Sequence, residues 1–287
     1  MWCRLLIVCT GGTGAHAAMQ LRAAVKAWRI EHIGASPAVG SSSQPLGVAQ
    51  ALTEGDALLV LPSVASAAEC AALVAAASRV AEEEHSQNGL VRVPSVGAAA
   101  RAELTRTPCA QALPVNADAL LCDILARVGA FIDREIPELA HTLFGEIDET
   151  SHELPSLEHL LRSGAVEFSS REPAVNVYDA GGEFLAHKDH QALTVLLPLS
   201  DPDEDFRGGG TAFWRQDARG HRVEAPSLTL RPPAGTCLLF GGHTTHAGTP
   251  VEAGRRCVLV ASFSKAGGRA RRAAEAAGAR DIYGDSL

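Results

Sequence analysis

The tetrapeptide His187-Lys188-Asp189-His190 places two imidazoles and a carboxylate within four positions, directly before an apolar run. If this stretch is extended, its side chains alternate, so the first and third residues share one face and the second and fourth point away. An imidazole nitrogen and a carboxylate oxygen on one face are ligands for a divalent transition metal. His187 and Asp189 therefore predict part of a metal site, which needs a further ligand.

Two histidines near the far end of the chain are candidates for that ligand. His243 and His246 lie in the stretch GGHTTHAGTP, before the last long apolar run. Either one would complete a set of two imidazoles and one carboxylate, which leaves about three neighbouring coordination positions open. A closed structural zinc site would need four protein ligands instead. The ligand types therefore favour non-haem Fe(II) that holds a chelating cosubstrate and O₂ together.

Short apolar runs separated by Gly, Pro and Asp turns fill the chain after about residue 165, and these runs must position the candidate ligands. They are AVNVYDA, FLAHKDH, ALTVLLPLS, GTAFW, SLTLRPP, TCLLFGG and CVLVASF. Many short strands at this spacing indicate an all-β sandwich or barrel.

Residues 56–164 show a mainly helical pattern after one short predicted strand, DALLVLP, at 56–62. Ser66 and Glu69 form a capping box that opens one helix, and Asn116 is the predicted N-cap of a second. The apolar positions at helical spacing are Cys70, Leu73, Val74, Ala77 and Val80 in the first helix and Leu120, Leu121, Ile124, Leu125, Val128, Phe131 and Ile132 in the second. The chain is therefore predicted to be α+β, with helices packed on a β-roll.

Four motifs follow one another between Asn176 and Phe263. They comprise Tyr178, Gly181, Gly182, His187 and Asp189; then Gly208-Gly209-Gly210-Thr211-Ala212-Phe213; then Pro233-Ala234-Gly235-Thr236 through Leu239-Phe240; and finally His246, Pro250, Val251, Gly254 and Arg256. This segment resembles the catalytic domain of the 2-oxoglutarate and Fe(II)-dependent dioxygenases, and within them the prolyl 4-hydroxylase-like branch. Several ordered motifs make this resemblance far more specific than a single His-x-Asp pair.

The resemblance implies a double-stranded β-helix core (jelly-roll, cupin-like) with packing helices on its N-terminal side. It also implies Fe(II) bound by His187, Asp189 and His246. His246 is selected over His243 because only His246 has a proline four, a glycine eight and a basic residue ten positions downstream. His243 then becomes a loop histidine or lies behind the ligands.

A 2-oxoglutarate site is implied by the same resemblance. Arg256 is the expected partner of the distal carboxylate, a role that suits a planar bidentate guanidinium. Arg255 is the alternative if the strand register shifts by one. Tyr178 matches the position whose hydroxyl binds 2-oxoglutarate, and Thr194 or Thr236 is expected to add a contact.

The implied activity is hydroxylation of an unactivated C–H bond, with 2-oxoglutarate and O₂ as cosubstrates, succinate and CO₂ as products, and ascorbate as reductant. A prolyl or other peptidyl residue is the leading substrate. The alternatives are a small-molecule substrate or a catalytically silent β-roll that binds metal. Phe184 stands where many relatives carry an aromatic hydroxyl, so any contact made there by a tyrosine is lost.

Composition narrows the partners further. The chain of 287 residues has 25 Lys and Arg against 33 Asp and Glu, a formal net charge of -8, which argues against a nucleic-acid footprint. No apolar run approaches the roughly 18 residues of a membrane span, so a soluble chain is expected. Seven scattered cysteines without a CxxC pair favour a reducing compartment, and a cytoplasmic location is the default. The oligomeric state stays open.

Residues 1–55 are predicted to be an extension, and four interpretations of it remain. An Ala-rich stretch with few acids is typical of an organelle transit peptide, and LLIVC followed by Ala15-x-Ala17 of a short secretory signal. Gly12-x-Gly14-x-x-Ala17, with Glu31 further on, loosely matches a dinucleotide fingerprint and would suit a nicotinamide enzyme. The fourth is an extension without function. The body then divides into a helical support region at 56–164, a β-roll dioxygenase core at 165–265 and a basic tail at 266–287.

Overall fold

Three layers build the described part of the chain: helices, a large antiparallel sheet, and a smaller sheet that faces it. The computed structural model describes residues 28–33, 47–84, 88–144, 156–217 and 222–265. All pairings between named strands are antiparallel, and this α+β architecture is the predicted double-stranded β-helix with packing helices. Within the described residues, no helix is both long enough and apolar enough to cross a bilayer.

The larger sheet has eight strands in the order β1-β2-β11-β7-β14-β5-β3, with β4 paired to β14. The smaller sheet has the order β10-β9-β12-β6, and β13 pairs with β8 as a separate ribbon. The strands are β1 (Arg29–His32), β2 (Ala57–Leu61), β3 (Leu90–Pro94), β4 (Val166–Phe168), β5 (Ala174–Tyr178), β6 (Phe184–His187), β7 (Leu193–Pro198), β8 (Phe206–Gly208), β9 (Thr211–Trp214), β10 (Leu228–Leu230), β11 (Cys237–Gly241), β12 (Thr245–Gly248), β13 (Val251–Gly254) and β14 (Arg256–Lys265).

Alternation along the strands of the larger sheet explains the layering. On β11, Leu239 belongs to the core shared with the helices, whereas Leu238 and Phe240 pack toward the smaller sheet. Both faces of the central strands are buried, so these strands read as continuous apolar runs. Because successive side chains face opposite ways, one face anchors the helices and the other lines the space between the sheets.

Six helices lie in the described residues: α1 (Val48–Glu54), α2 (Ala67–Glu83), α3 (Val96–Leu104), α4 (Val115–Glu135), α5 (Pro137–Phe144) and α6 (Leu157–Ser163). The predicted capping box of α2 is confirmed, because the Ser66 side chain accepts from the Glu69 N–H and the Glu69 carboxylate accepts from the Ser66 N–H. The predicted apolar faces of α2 and α4 pack into the core, with Val74 and Leu120 at its margin.

The predicted N-cap of α4 is wrong. The cap is Pro114, whose carbonyl accepts from the Asp118 N–H at 2.9 Å, and Asn116 lies inside the first turn. The helix begins earlier because buried Leu113 donates its N–H to the Pro94 carbonyl at 2.9 Å, which fixes the chain at that point. The Asp118 carboxylate meanwhile accepts from the first N–H of α3, that of Val96.

Strands from before residue 165 take part in the larger sheet. β2 was expected from the sequence, whereas β1 and β3 were not, and they form the two ends of the sheet order. Glu31, the acidic residue of the dinucleotide interpretation, lies on β1, which pairs antiparallel with β2 rather than in a parallel βαβ unit. The glycine motif at 12–17 and the tail at 266–287 lie outside the described residues.

Candidate metal centre

The three predicted metal ligands converge between the two sheets. β6 and β12 pair so that His187 and His246 lie directly opposite each other, with ring centroids 4.3 Å apart. Asp189 follows the end of β6, with its Oδ1 3.3 Å from His187 Nε2 and its Oδ2 3.6 Å from His246 Nε2. One ligand atom from each residue lies within 4.8 Å of the other two, a spacing that allows all three to bind one ion.

Backbone carbonyls fix the orientation of both imidazoles. His187 Nδ1 lies 2.8 Å from the Leu185 carbonyl oxygen, and His246 Nδ1 lies 3.1 Å from that of Thr244. A carbonyl oxygen only accepts, so each Nδ1 carries the hydrogen when the ring is neutral. Each Nε2 then directs a lone pair toward Asp189, which is the arrangement found in metal-binding histidines.

The charges of this cluster are set by burial and by the cluster itself. Burial raises the pKa of the Asp189 carboxyl, but His246, His187 and the Thr194 hydroxyl outweigh it and hold that pKa well below its usual range. Burial lowers the pKa of His246 to about 4. Burial also opposes protonation of His187, yet the hydrogen bond and charge of Asp189 raise the His187 pKa. The cluster therefore carries an ionised carboxylate and one neutral imidazole at neutral pH.

Thr194 lines the pocket and contacts one of the candidate metal ligands. Its hydroxyl donates to Asp189 Oδ2 at 2.5 Å, which fixes one carboxylate oxygen from the β7 side. The other predicted threonine, Thr236, does not line this pocket. It lies four residues before Phe240, which pairs with Thr194, so it is roughly 13 Å further along the sheet. Among the described residues, Thr236 therefore lies apart from the pocket that Arg256 and Tyr178 line.

The alternation of side chains inferred from the sequence assumes an extended conformation from Phe184 through His190. The strand ends before His190 is reached. β6 ends at His187, and His190 has φ 55, in the left-handed region. His190 is exposed, and its N–H donates to the Gly242 carbonyl at 3.0 Å. His243 is likewise exposed, in the turn between β11 and β12, and neither histidine belongs to the cluster around Asp189.

A buried guanidinium occupies the other end of the same pocket. Arg256 opens β14 opposite Tyr178, and only 3% of its surface is exposed. Its Nη2 donates to the Thr211 hydroxyl at 3.0 Å, and its Cζ lies 5.2 Å from the centre of the Tyr178 ring. Within the described residues, no carboxylate pairs with Arg256. Burial lowers its pKa, although the guanidinium stays charged.

Arg255 faces the opposite side of β14. Its Nε donates to Asp179 at 2.7 Å and its Nη1 to Glu82 at 3.3 Å, both on the outside of the sheet. Arg256, and not its neighbour, therefore enters the pocket, as the alternation of strand side chains requires.

A glycine leaves room where the polar groups at this end meet. A Cβ built on Gly248 would lie 3.2 Å from the Tyr178 hydroxyl oxygen and 3.5 Å from Arg256 Nη1. Arg256 Nη1 and the Tyr178 hydroxyl therefore border the same small space beside β12.

The pocket that joins the two ends has about 450 Å³ of empty space, including its open mouth. Phe184 lies at the metal end, with its ring 4.5 Å from the His187 ring and the Arg92 guanidinium 5.4 Å away on the ring face. The absence of an aromatic hydroxyl at this position thus leaves an apolar wall beside the first ligand. The Arg92 guanidinium, from β3 and distant in the sequence, lies over the Phe184 ring.

Several polar residues of the pocket were not predicted from the sequence. Thr211 belongs to the glycine-rich turn already noted, but nothing in that motif indicated that its hydroxyl holds Arg256. Asn176 shares a face of β5 with Tyr178, a signal that strand alternation does supply. Arg92 and Glu172 carried no sequence signal.

Comparison with known proteins agrees with this geometry. The family model described as the 2OG-Fe(II) oxygenase superfamily matches residues 173–263, from just before β5 to near the end of β14. This segment belongs to the 2OG-Fe(II) oxygenase superfamily. The oxygenase segment contains His187, Asp189, His246, Arg256 and Tyr178, while β1, β2 and β3 lie before it. Fe(II) and 2-oxoglutarate are the metal and cosubstrate from which the superfamily takes its name.

Several solved structures match the chain at low identity. A Pseudomonas putida prolyl-4-hydroxylase is 16% identical, with 76% of this chain and 97% of that chain covered and a TM-score of 0.44. A Trichoplax adhaerens prolyl hydroxylase in complex with a hypoxia inducible factor peptide is 13% identical, with 78% and 90% covered and a TM-score of 0.44. The epimerase SnoN from nogalamycin biosynthesis is 18% identical, with 75% and 81% covered and a TM-score of 0.43. No curated protein matches the chain in sequence.

Proposed function

We propose that this chain is a 2-oxoglutarate-dependent dioxygenase that hydroxylates a prolyl or other peptidyl C–H bond. The observation that carries the 2-oxoglutarate chemistry is the presence, in one pocket, of a His-Asp-His cluster and a buried guanidinium without a carboxylate partner among the described residues, whereas the peptidyl substrate rests on the resemblance of the ordered motifs to the prolyl 4-hydroxylase-like branch. One end is built for a cation and the other for an anion, which is what Fe(II) and a dicarboxylate require.

The residues at the metal end fit Fe(II). His187, Asp189 and His246 would hold the ion through two imidazole nitrogens and a carboxylate oxygen, a donor set that non-haem Fe(II) oxygenases use with open positions beside it. Bound iron supplies the activation of O₂ by which 2-oxoglutarate becomes succinate and CO₂ and one oxygen atom enters the substrate C–H bond. Thr194 keeps the Asp189 carboxylate in one orientation throughout.

The residues at the far end fit the distal carboxylate of 2-oxoglutarate. A buried charge is stable only when paired, and the Arg256 guanidinium has N–H groups to spare beyond Thr211. Arg256 would donate to the carboxylate from one side and the Tyr178 hydroxyl from another, with the missing Cβ of Gly248 making room. Two charge-assisted hydrogen bonds of this kind would fix the pose of the cosubstrate.

Apolar rings around the ligands keep water away from the site. The Phe240 ring lies 4.7 Å from the His246 ring, and the Phe184 ring lies 4.5 Å from that of His187. Exclusion of water strengthens the electrostatic contacts inside the pocket and prevents side reactions of the oxidant. Ascorbate belongs to the proposal as the reductant that restores Fe(II) after turnover without substrate. We also infer that 165–265 is the catalytic β-roll and 56–164 its support.

Succinate formation tests the proposal. Wild type and Asp189→Ala are reconstituted with Fe(II) without air, then supplied with 2-oxoglutarate, O₂ and ascorbate, with and without a panel of proline-containing peptides and cyclic metabolites. Wild type should form succinate in proportion to iron, faster with a peptide whose mass rises by one oxygen, and the variant should form none above background.

The other outcomes are equally informative. Stimulation by a metabolite alone would replace the peptidyl substrate with a small molecule and keep the chemistry. Iron binding without succinate under any condition would show a catalytically silent β-roll and overturn the proposal.

A further inference from the structure

A row of hydrogen bonds leads from the edge strand β3 to the Tyr178 hydroxyl. Arg92 Nε donates to Asn176 Oδ1 at 2.9 Å, and Asn176 Nδ2 donates to the Tyr178 hydroxyl oxygen at 3.2 Å. Both Asn176 and Tyr178 are buried, on the pocket side of β5. Arg92 lies outside the segment that matches the oxygenase family.

Donor and acceptor types make this row directional. A guanidinium only donates, so the Asn176 atom beside Arg92 must be the oxygen, and the amide NH₂ must face Tyr178. The Tyr178 oxygen therefore accepts from Asn176. Its other polar neighbour, Arg256, is also a pure donor, so the Tyr178 hydrogen goes to neither residue. Within the described residues, no protein acceptor for that hydrogen is found.

The Tyr178 hydroxyl, whose hydrogen is engaged by neither Asn176 nor Arg256, lies beside Gly248. Arg256 Nη1 borders the same space, because a Cβ on Gly248 would contact both groups. Two donor groups therefore lie beside Gly248, and a ligand oxygen within reach of both would accept from them.

Arg92 is itself held in place by a second buried charge. Its Nη1 donates to Glu172 Oε1 at 3.1 Å, and Glu172 Oε2 accepts from the Ser262 N–H and hydroxyl at 2.7 Å each. Ser262 lies on β14, the strand that also carries Arg256. Rotation of the Arg92 guanidinium would leave the buried Glu172 carboxyl group with the Ser262 hydrogen bonds but without a charged partner, which would be costly.

We infer that Arg92 is a positioning residue for the cosubstrate: by fixing the Asn176 amide, it makes the Tyr178 hydroxyl a donor to the distal carboxylate of 2-oxoglutarate. This inference rests on the proposed function, because it assumes that 2-oxoglutarate is the ligand. It assigns a part in cosubstrate binding to residues that do not touch the cosubstrate and, for Arg92, lie outside the oxygenase segment.

Two substitutions at one position separate positioning from support. Asn176→Asp keeps the shape of the side chain and its contact with Arg92, and the charge of Arg92 favours the ionised carboxylate. That carboxylate can only accept, so it would take the Tyr178 hydrogen and turn the hydrogen away from the pocket. Asn176→Leu removes both hydrogen bonds and leaves the Tyr178 hydroxyl free to rotate toward the ligand. A positioning role therefore predicts that Asp is the more harmful change. A structural role predicts the reverse, because Leu leaves Arg92 and Tyr178 without their partner.

The measurement is the dissociation constant of 2-oxoglutarate for the Mn(II)-loaded protein, by calorimetry without turnover. We expect Asn176→Asp to weaken binding roughly tenfold or more, since a hydrogen bond to a charged group is lost, and Asn176→Leu to weaken it less. Arg92→Lys keeps a positive charge beside Glu172 but frees the amide, so it should weaken binding in the same direction. In a Tyr178→Phe background, Asn176→Asp and Arg92→Lys should have no further effect. Thermal unfolding of each apo variant checks the fold.

The outcomes distinguish the two proposals. Weaker binding with Leu than with Asp, or effects that persist in the Tyr178→Phe background, would overturn the positioning role and leave the dioxygenase proposal intact. Absence of 2-oxoglutarate binding by Mn(II)-loaded wild type would overturn both.

Discussion

The two ends of the pocket satisfy their polar groups in opposite ways. At the metal end, each imidazole hydrogen is bound to a backbone carbonyl and one Asp189 oxygen to Thr194, so that lone pairs remain. At the guanidinium end, Arg256 donates one N–H to Thr211, and the Tyr178 oxygen accepts from Asn176. The other Arg256 N–H groups and the Tyr178 hydroxyl hydrogen remain for a ligand. One end thus suits a cation and the other an anion.

This difference follows from which sheet supplies each end. The two histidines come from the smaller sheet, β6 and β12, whereas Arg256 and Tyr178 come from β14 and β5 of the larger one. Burial of unpaired polar groups is unfavourable, so each end is less stable alone than with its ligand. A ligand that touches both ends also joins the two sheets, and variants at each end should separate these contributions.

The largest effect is expected at the guanidinium end. Arg256→Met should weaken 2-oxoglutarate binding by at least roughly 100-fold, because two charge-assisted hydrogen bonds are lost. The apo protein should keep or gain thermal stability, since a buried unpaired charge is removed. Binding is measured by calorimetry and stability by thermal unfolding. Arg255→Met, one residue away on the outer face, is the matched control, and equal losses in both variants would contradict the assignment.

At the metal end, Thr194→Val should weaken metal binding roughly 10- to 100-fold, the usual cost of losing a group that orients a metal ligand. The shape of the side chain is kept, and only the hydrogen bond to Asp189 is removed. Mn(II) titration measures the effect. Thr236→Val, which changes a threonine remote from the pocket, should bind the metal as wild type does. An unchanged affinity in Thr194→Val would show that Asp189 needs no orientation.

The pH dependence of metal affinity should also distinguish the metal end of the pocket from the guanidinium end. The His187 pKa is raised above its ordinary value of 6.5, so protonated His187 stabilises the apo fold at low pH, and this contribution is lost as pH rises through the raised pKa. Metal binding needs the neutral ring, so affinity should rise by up to about tenfold per pH unit below that pKa and level off above it. Mn(II) titrations from acid to alkaline pH measure this. His190→Ala should leave the profile unchanged, and a flat wild-type profile would exclude His187 as a ligand.

The smallest effect is expected from Gly248→Ala. The new methyl group would lie 3.2 Å from the Tyr178 oxygen and 3.5 Å from Arg256 Nη1, so it narrows the space proposed for a carboxylate oxygen. We expect 2-oxoglutarate to bind a few-fold more weakly, comparable to the cost of modest overpacking, with metal binding unchanged. Calorimetry of both ligands tests this, and stronger 2-oxoglutarate binding would place the carboxylate elsewhere.

The sequence indicated the candidate ligands better than the residues that orient them. His187, Asp189 and His246 stand in ordered motifs whose residue types indicate their chemistry, and Arg256 follows by spacing from His246. Their supports depend on contacts between strands that are distant in the sequence. Arg92 meets Asn176 only because β3 pairs with β5, and no local pattern encodes that pairing.

Predictions from local sequence patterns also failed where contacts between distant segments determine the conformation. Asn116 is a good N-cap residue, but the anchored Leu113 moved the helix start. Alternation failed at His190, because the chain leaves β6 and turns once the first ligand is placed. Thr194 and Thr236 looked equivalent as threonines on apolar runs, and only the strand register separates them.

Because His187 lies directly opposite His246, an ion bound by both histidines would link the neighbouring strands β6 and β12. β6 is the outermost strand of the smaller sheet, held by β12 on one side. A slip of one residue would turn His187 to the outer face and exchange it for Ala186 or Lys188. Metal binding would therefore require the observed register of β6 against β12, and a sheet with the slipped register would not bind iron through His187.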